Sequence, residues 1–168
     1  MKNNIKKRAI YSGTFDPITK GHMDILKRGL RVYDEVIIAV ANSSLKQPMF
    51  NINSRIRFIQ KATKGLNGVS IKPFSNLLVE FAKEENVYNI IRGLRTNTDF
   101  EYELQMSYAN SSLDDKIDSI FLMPTLKNAF VSSSIVRELI RFNGDFTHLV
   151  PKRTIKDINK IINNKDEK

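Results

Sequence analysis

Five short apolar runs, each followed by a stretch with helical spacing, constrain this 168-residue chain more than any other feature. Arg8–Tyr11, Val36–Ala41, Val69–Lys72, Tyr88–Ile91 and Ser119–Met123 are rich in Val, Ile, Phe and Tyr, and so read as β-strands. Between them, apolar residues recur at three- and four-residue intervals: Met23, Leu26, Leu30 and Tyr33, then Ile56, Ile59 and Leu66, then Leu77, Leu78, Phe81 and Ala82. A fourth helix is predicted with Phe100, Leu104 and Tyr108 on one face, and Thr98 and Glu101 spaced as a capping box. A fifth carries Ile135, Val136, Leu139 and Ile140, and a last one after Pro151 becomes polar enough to fray from Asn163. Strands alternating with helices make a mostly parallel sheet covered on both faces, an α/β fold of one domain spanning 1–168.

Charge and composition narrow the function classes. The formal charge is +9, but residues 1–8 hold four positive charges and residues 152–168 a net three. The body between them is nearly neutral, with 17 Lys and Arg against 15 Asp and Glu. A nucleic-acid binder carries its basic stripe on the folded body; here the ends, 1–6 and 164–168, read as flexible basic tails, and no nucleic-acid partner is expected. There is no cysteine, and His22 and His148 are the only histidines, so no metal-ligand set is expected. The longest clean apolar run, Val36–Ala41, is too short to span a membrane, and Met1–Arg8 lacks the apolar core of a signal peptide. A cytoplasmic chain with no membrane partner is the expectation.

In an open parallel sheet, ligands bind beyond the carboxyl ends of the strands. The residues with chemical potential fall there. After the first strand comes Gly13-Thr14-Phe15-Asp16-Pro17-Ile18-Thr19-Lys20-Gly21-His22, running into a helix whose unpaired N–H groups suit a phosphate. Gly21, with no Cβ, allows close approach of a ligand, and His22 sits in the first helical turn. Lys46 follows the second strand, Leu78 the third, and Ile91-Arg92-Gly93-Leu94-Arg95 the fourth. Two guanidinium groups there can turn towards one anion. Ser132-Ser133-Ser134 open the helix after the fifth strand. Neither G-x-x-x-x-G-K-[ST] nor G-x-G-x-x-G occurs. A site rich in cations and donors, without a nucleophile or a His–carboxylate pair, suits phosphoryl or nucleotidyl transfer between two bound substrates.

Gly13-Thr14-Phe15-Asp16-Pro17-x-Thr19-x-Gly21-His22, Lys46-x-Pro48-Met49-Phe50, Ile91-Arg92-Gly93-Leu94-Arg95, Asp99-Phe100-Glu101-Tyr102-Glu103, Phe121-Leu122-Met123-Pro124 and Ser132-Ser133-Ser134-x-x-Arg137 occur in that order. Together they resemble the nucleotidyltransferases with the T-x-G-H motif, and more narrowly the phosphopantetheine adenylyltransferase family, over residues 7 to 155. The resemblance implies a Rossmann-like fold of nucleotidyltransferase type, and attack by the phosphate of 4′-phosphopantetheine on the α-phosphorus of ATP. The products are then dephospho-coenzyme A and pyrophosphate, with Mg²⁺ accompanying ATP, in a homohexamer. By resemblance, Thr14, Lys46, Leu78 and Arg92 meet the pantetheine substrate. Thr14, Phe15, His22, Gly93, Leu94, Arg95, Glu103, Asn128, Ala129, Phe130, Val131, Ser132, Ser133 and Ser134 meet ATP. His22 is the implied transition-state stabiliser, with Lys46 and Arg92 orienting the attacking phosphate. Two departures stand out: Ser12 where the family often has proline, and Asn128 where an aromatic residue is common. The alternatives are a sister enzyme acting on nicotinamide mononucleotide or an alcohol phosphate, and, from another class, a nucleic-acid-binding protein.

Overall fold

The computed structural model describes residues 6–42 and 47–166. Lys46 and residues 1–5, 167 and 168 therefore lie outside the described residues. The five strands appear at the apolar runs, with ends that differ from the predicted ones by up to two residues: β1 Arg8–Gly13, β2 Glu35–Ala41, β3 Val69–Phe74, β4 Asn89–Gly93, which starts one residue later than predicted, and β5 Asp118–Leu122, which ends one residue earlier. They form one parallel sheet in the order β3-β2-β1-β4-β5. The chain builds outward from β1 to β3, then returns to lay β4 on the other side of β1. This leaves a crevice above the carboxyl ends of β1 and β4, where an open α/β sheet holds its ligand.

Side-chain alternation along the strands splits the core in two. Ala9, Tyr11, Val36, Ile38, Val40 and Ile91 point to one face. There they meet α1 (Lys20–Gly29), α2 (Ile52–Thr63), α5 (Ser133–Arg141) and α6 (Ile155–Asp166). Ile10, Ile37, Ala39 and Ile90 point to the other face, against Val79, Phe81 and Ala82 of α3 (Leu78–Glu85). Helix α6 runs through Asp166, further than the polar run from Asn163 suggests.

Helix α4, Asn97–Leu113, departs from expectation in two respects. Thr96, not Thr98, is its N-cap, its hydroxyl accepting the Asp99 N–H at 3.1 Å, so no capping box forms with Glu101. Its apolar residues are not packed into the core either: Phe100 is 43 % exposed and Tyr108 68 %, and no residue of the helix is fully buried. The reason is location. The sheet ends at β5, and α4 lies beyond α3 at that edge, with too little sheet beneath it to cover a 17-residue helix. Among the described residues, no helix is long and apolar enough to cross a membrane.

Candidate active site

The turn between β1 and α1 is held by a set of buried polar contacts rather than by glycine alone. Phe15 adopts φ 49°, in the left-handed region, a cost of about 1 kcal/mol for a residue with a Cβ. Its ring is buried and packs edge-on against His22, at 5.0 Å between centroids. The next peptide bond, Asp16–Pro17, is cis. The Asp16 carboxylate is buried and accepts the Met49 N–H at 2.7 Å and the Phe50 N–H at 2.9 Å. Arg55, 1 % exposed, donates to the carbonyls of Phe50, Thr14 and Ala41 at 3.0, 2.7 and 2.8 Å. One guanidinium thus ties the turn to the end of β2 and to the start of α2.

Helix α1 opens on Thr19 with a reciprocal cap. The Thr19 hydroxyl accepts the His22 N–H at 3.3 Å, while the Thr19 N–H donates to His22 Nδ1 at 3.1 Å. That second bond fixes the ring's tautomer: with Nδ1 an acceptor, the neutral imidazole carries its proton on Nε2. Burial pushes the pKa of His22 down to about 4, and the nearby Arg95 charge adds to the effect. Near neutral pH, His22 is therefore an uncharged ring with its remaining N–H available to a ligand. Gly21 lines the cavity, and it also meets a packing requirement. A Cβ there would lie 2.9 Å from the Val131 carbonyl oxygen, so its bare backbone lets the 128–131 segment pack on α1.

Alternation also explains Arg92. β1 and β4 pair through Ile10–Ile90 and Tyr11–Ile91. One residue further, Ser12 and Arg92 point to the side of α3 and α4. Arg92 Nε and Nη2 bond the two carboxylate oxygens of Glu103 on α4, at 2.6 and 2.5 Å. Nη1 donates to the Ser12 carbonyl at 2.9 Å and to its hydroxyl at 2.8 Å. Arg95 is paired too, with Asp99, at 2.9 and 3.1 Å. The two arginines expected to turn towards one anion each carry a carboxylate partner.

The three serines have three separate tasks. Ser132 caps α5, accepting the Ile135 N–H at 3.2 Å; Ser133 donates to the Pro17 carbonyl at 2.8 Å; Ser134 accepts from Arg137 at 3.2 Å. Arg137 also donates to the Asp16 carbonyl at 2.8 Å, closing a ring of contacts between α5 and the first turn. On the other side, Asp24 of α1 accepts the Thr125 N–H at 2.5 Å. Although burial pushes the Asp24 carboxyl up, its bonds from Thr125 and Asn128 and the Arg28 charge hold it below the usual carboxylate range.

These elements enclose a cavity of about 290 Å³ at the crevice. Of the residues singled out from the sequence, Thr14, Phe15, Gly21, His22, Arg92, Gly93, Arg95, Glu103 and Val131 to Ser134 line it. Leu94, Asn128, Ala129 and Phe130 do not. Asp16 lines it too; sequence reasoning passed over Ser12 and Pro124 as lining residues, and gave Arg137 no role there. A second, smaller cavity of about 150 Å³ lies beside the first, between α3 and α4. Leu77, Leu78, Tyr102 and Met106 give it an apolar wall, and Ser107 and Asn110 a polar one. Arg92 and Glu103 border both cavities.

The chain has relatives among known proteins. The cytidylyltransferase-like family model matches residues 10–139. A phosphopantetheine adenylyltransferase of Nautilia profundicola is 52 % identical over 151 residues, covering 90 % of this chain and 98 % of that one. One from Campylobacter hominis is 52 % identical over 151 residues, covering 90 % and 95 %. One from Helicobacter pylori strain J99 is 48 % identical over 157 residues, covering 94 % and 100 %. This chain belongs to the phosphopantetheine adenylyltransferase family. Within that family's fold, the crevice, the histidine-capped helix and the adjoining cavity stand together at one sheet edge. Lys46, expected at the same edge, lies outside the described residues.

Proposed function

We propose that this chain transfers the adenylyl group of ATP to 4′-phosphopantetheine, giving dephospho-coenzyme A and pyrophosphate. One observation carries the division of the site: two cavities of different character share Arg92 and Glu103 as a common wall. The larger is lined by N–H and hydroxyl donors at two helix starts, which suits a triphosphate. The smaller has the apolar wall and amide-binding groups that a pantetheine arm needs. A phosphate at the end of that arm would sit at Arg92, facing the α-phosphorus.

Catalysis then rests on placement and on donors aimed at the transferring group. Negative charge grows on the α-phosphoryl oxygens as the new bond forms. The Nε2–H of neutral His22 meets it without itself changing charge. Thr14 and Arg95 add donors, and Arg92 aligns the attacking oxygen, with Lys46 sharing that task. Asp16 and Glu103, the carboxylates lining the larger cavity, have their oxygens taken by protein N–H groups. Each of those oxygens keeps a second lone pair, and in the proposed reaction Mg²⁺ would enter bound to the ATP phosphates.

Pyrophosphate release from ATP tests the reading, with 4′-phosphopantetheine and nicotinamide mononucleotide as rival acceptors. Turnover with 4′-phosphopantetheine alone is expected; equal or greater turnover with the mononucleotide overturns it. Both substrates are charged and do not cross a bilayer unaided, which supports a cytoplasmic site of action. We further propose a homo-oligomer, a hexamer by family resemblance. The supporting feature is the uncovered apolar surface of α4, where Tyr102, Tyr108 and Leu113 are each more than half exposed. Sedimentation velocity should give an assembly, and a monomer at micromolar concentration would refute this.

A further inference from the structure

The guanidinium of Arg92 has five N–H groups. Two go to Glu103 and two to Ser12, leaving one on Nη2 for a ligand. An anion seated at Arg92 therefore needs donors from elsewhere. Ser12 is placed to give one. It is 6 % exposed, it lines the larger cavity, and its Oγ already accepts from Arg92. Among the described residues, no acceptor takes the Ser12 hydroxyl proton. A hydroxyl that accepts from a cation is polarised, and its own O–H becomes a stronger donor.

We propose that Ser12 is a phosphate-binding residue, its hydroxyl relaying the pull of Arg92 to the attacking phosphate of the acceptor substrate. This rests on the reading of the site as an adenylyltransferase acting on 4′-phosphopantetheine. The residue that departs from the family's frequent proline thus gains a function that proline cannot supply, because proline has no hydroxyl. The Glu103 clamp and the Ser12 carbonyl hold Arg92 without the hydroxyl, so removing Oγ leaves the arginine in place.

Calorimetric titration of wild type, Ser12→Ala and Ser12→Thr with 4′-phosphopantetheine and with dephosphorylated pantetheine tests the proposal. Ser12→Ala should bind 4′-phosphopantetheine about 10-fold more weakly, the scale of one hydrogen bond to a charged group. Its affinity for pantetheine and its KM for ATP should stay within about two-fold of wild type. Ser12→Thr, which keeps the hydroxyl on a strand-favouring residue, should recover the loss. Unchanged binding of both ligands by Ser12→Ala overturns the proposal, as does equal weakening of both, or a loss confined to ATP. If wild type itself does not distinguish 4′-phosphopantetheine from pantetheine, the functional reading fails and the role of Ser12 falls with it.

Discussion

Replacing His22 separates the chemical and structural duties of one ring, because its two nitrogens face different ways. Nδ1 accepts the Thr19 N–H and so caps α1; Nε2 carries the proton that faces the cavity. His22→Ala removes both. Loss of one donor aimed at a transition-state oxygen costs about 10²–10³ in kcat, or roughly 3–4 kcal/mol. Loss of the cap costs about 1 kcal/mol of stability, a Tm decrease of about 2–4 °C for a chain of this size. His22→Gln separates the two duties: glutamine at this position of a capping box can still accept the Thr19 N–H. It should therefore keep the wild-type Tm while losing most of the rate.

The same ring has a pH signature. Its folded pKa, about 4, lies below its unfolded value of 6.5. Between those values the unfolded chain binds the proton that the folded ring refuses. Stability from this group is therefore fully present above pH 6.5 and is lost as pH falls towards 4, by no more than about 3 kcal/mol. Its contribution to kcat should be flat from pH 6 to 8. The assays are pyrophosphate release and thermal unfolding at several pH values. A His22→Ala kcat within about five-fold of wild type would refute the donor role, and a rate inflection near 6.5 that disappears in this variant would refute the neutral ring.

Two further perturbations probe the supports of the site. Arg55→Met leaves the carbonyls of Thr14, Ala41 and Phe50 without their buried donor, and should cost about 3–5 kcal/mol in urea unfolding; a loss below about 1 kcal/mol would mean that water replaces the guanidinium. Asp24→Asn weakens the hold on Thr125 and Asn128, so it should raise the KM for ATP several-fold with kcat nearly unchanged; an unaltered KM would show that the 125–131 segment needs no anchor on α1.

The strand boundaries were legible because an apolar run flanked by polar residues marks a buried strand wherever it lies in the sheet. The strand order was not. Nothing local to Asn89–Gly93 says that β4 pairs with β1 rather than with β3; this depends on how the helices share the two faces. For the same reason, the exposed side of α4 read as a core face. Its apolar spacing is genuine, but burial depends on how much sheet lies beneath it. The contacts of Asp16 and Arg55 were invisible for a related reason. Their partners are distant in sequence, 33 and 34 residues away for Asp16 and up to 41 for Arg55, and no short motif encodes such contacts.

The charges of the site illustrate the same difficulty most sharply. A count of Arg92, Arg95 and Arg137 along the sequence suggests a strongly positive basin that holds phosphate by charge. Folding pairs Arg92 with Glu103 and Arg95 with Asp99, and brings Arg137 to 3.7 Å from Asp16. The carboxylate of each pair lies in or beside the same cavity, so the cations gain direction at the expense of net charge. A paired guanidinium cannot swing away, and its remaining N–H groups point where its partner leaves them. His22 follows the same logic, since burial keeps it neutral and Thr19 aims its one free N–H. Such a cavity favours an anion of defined shape over anions in general. This is the requirement for a site that must hold a triphosphate and an incoming phosphate together without drawing them into one unproductive cluster.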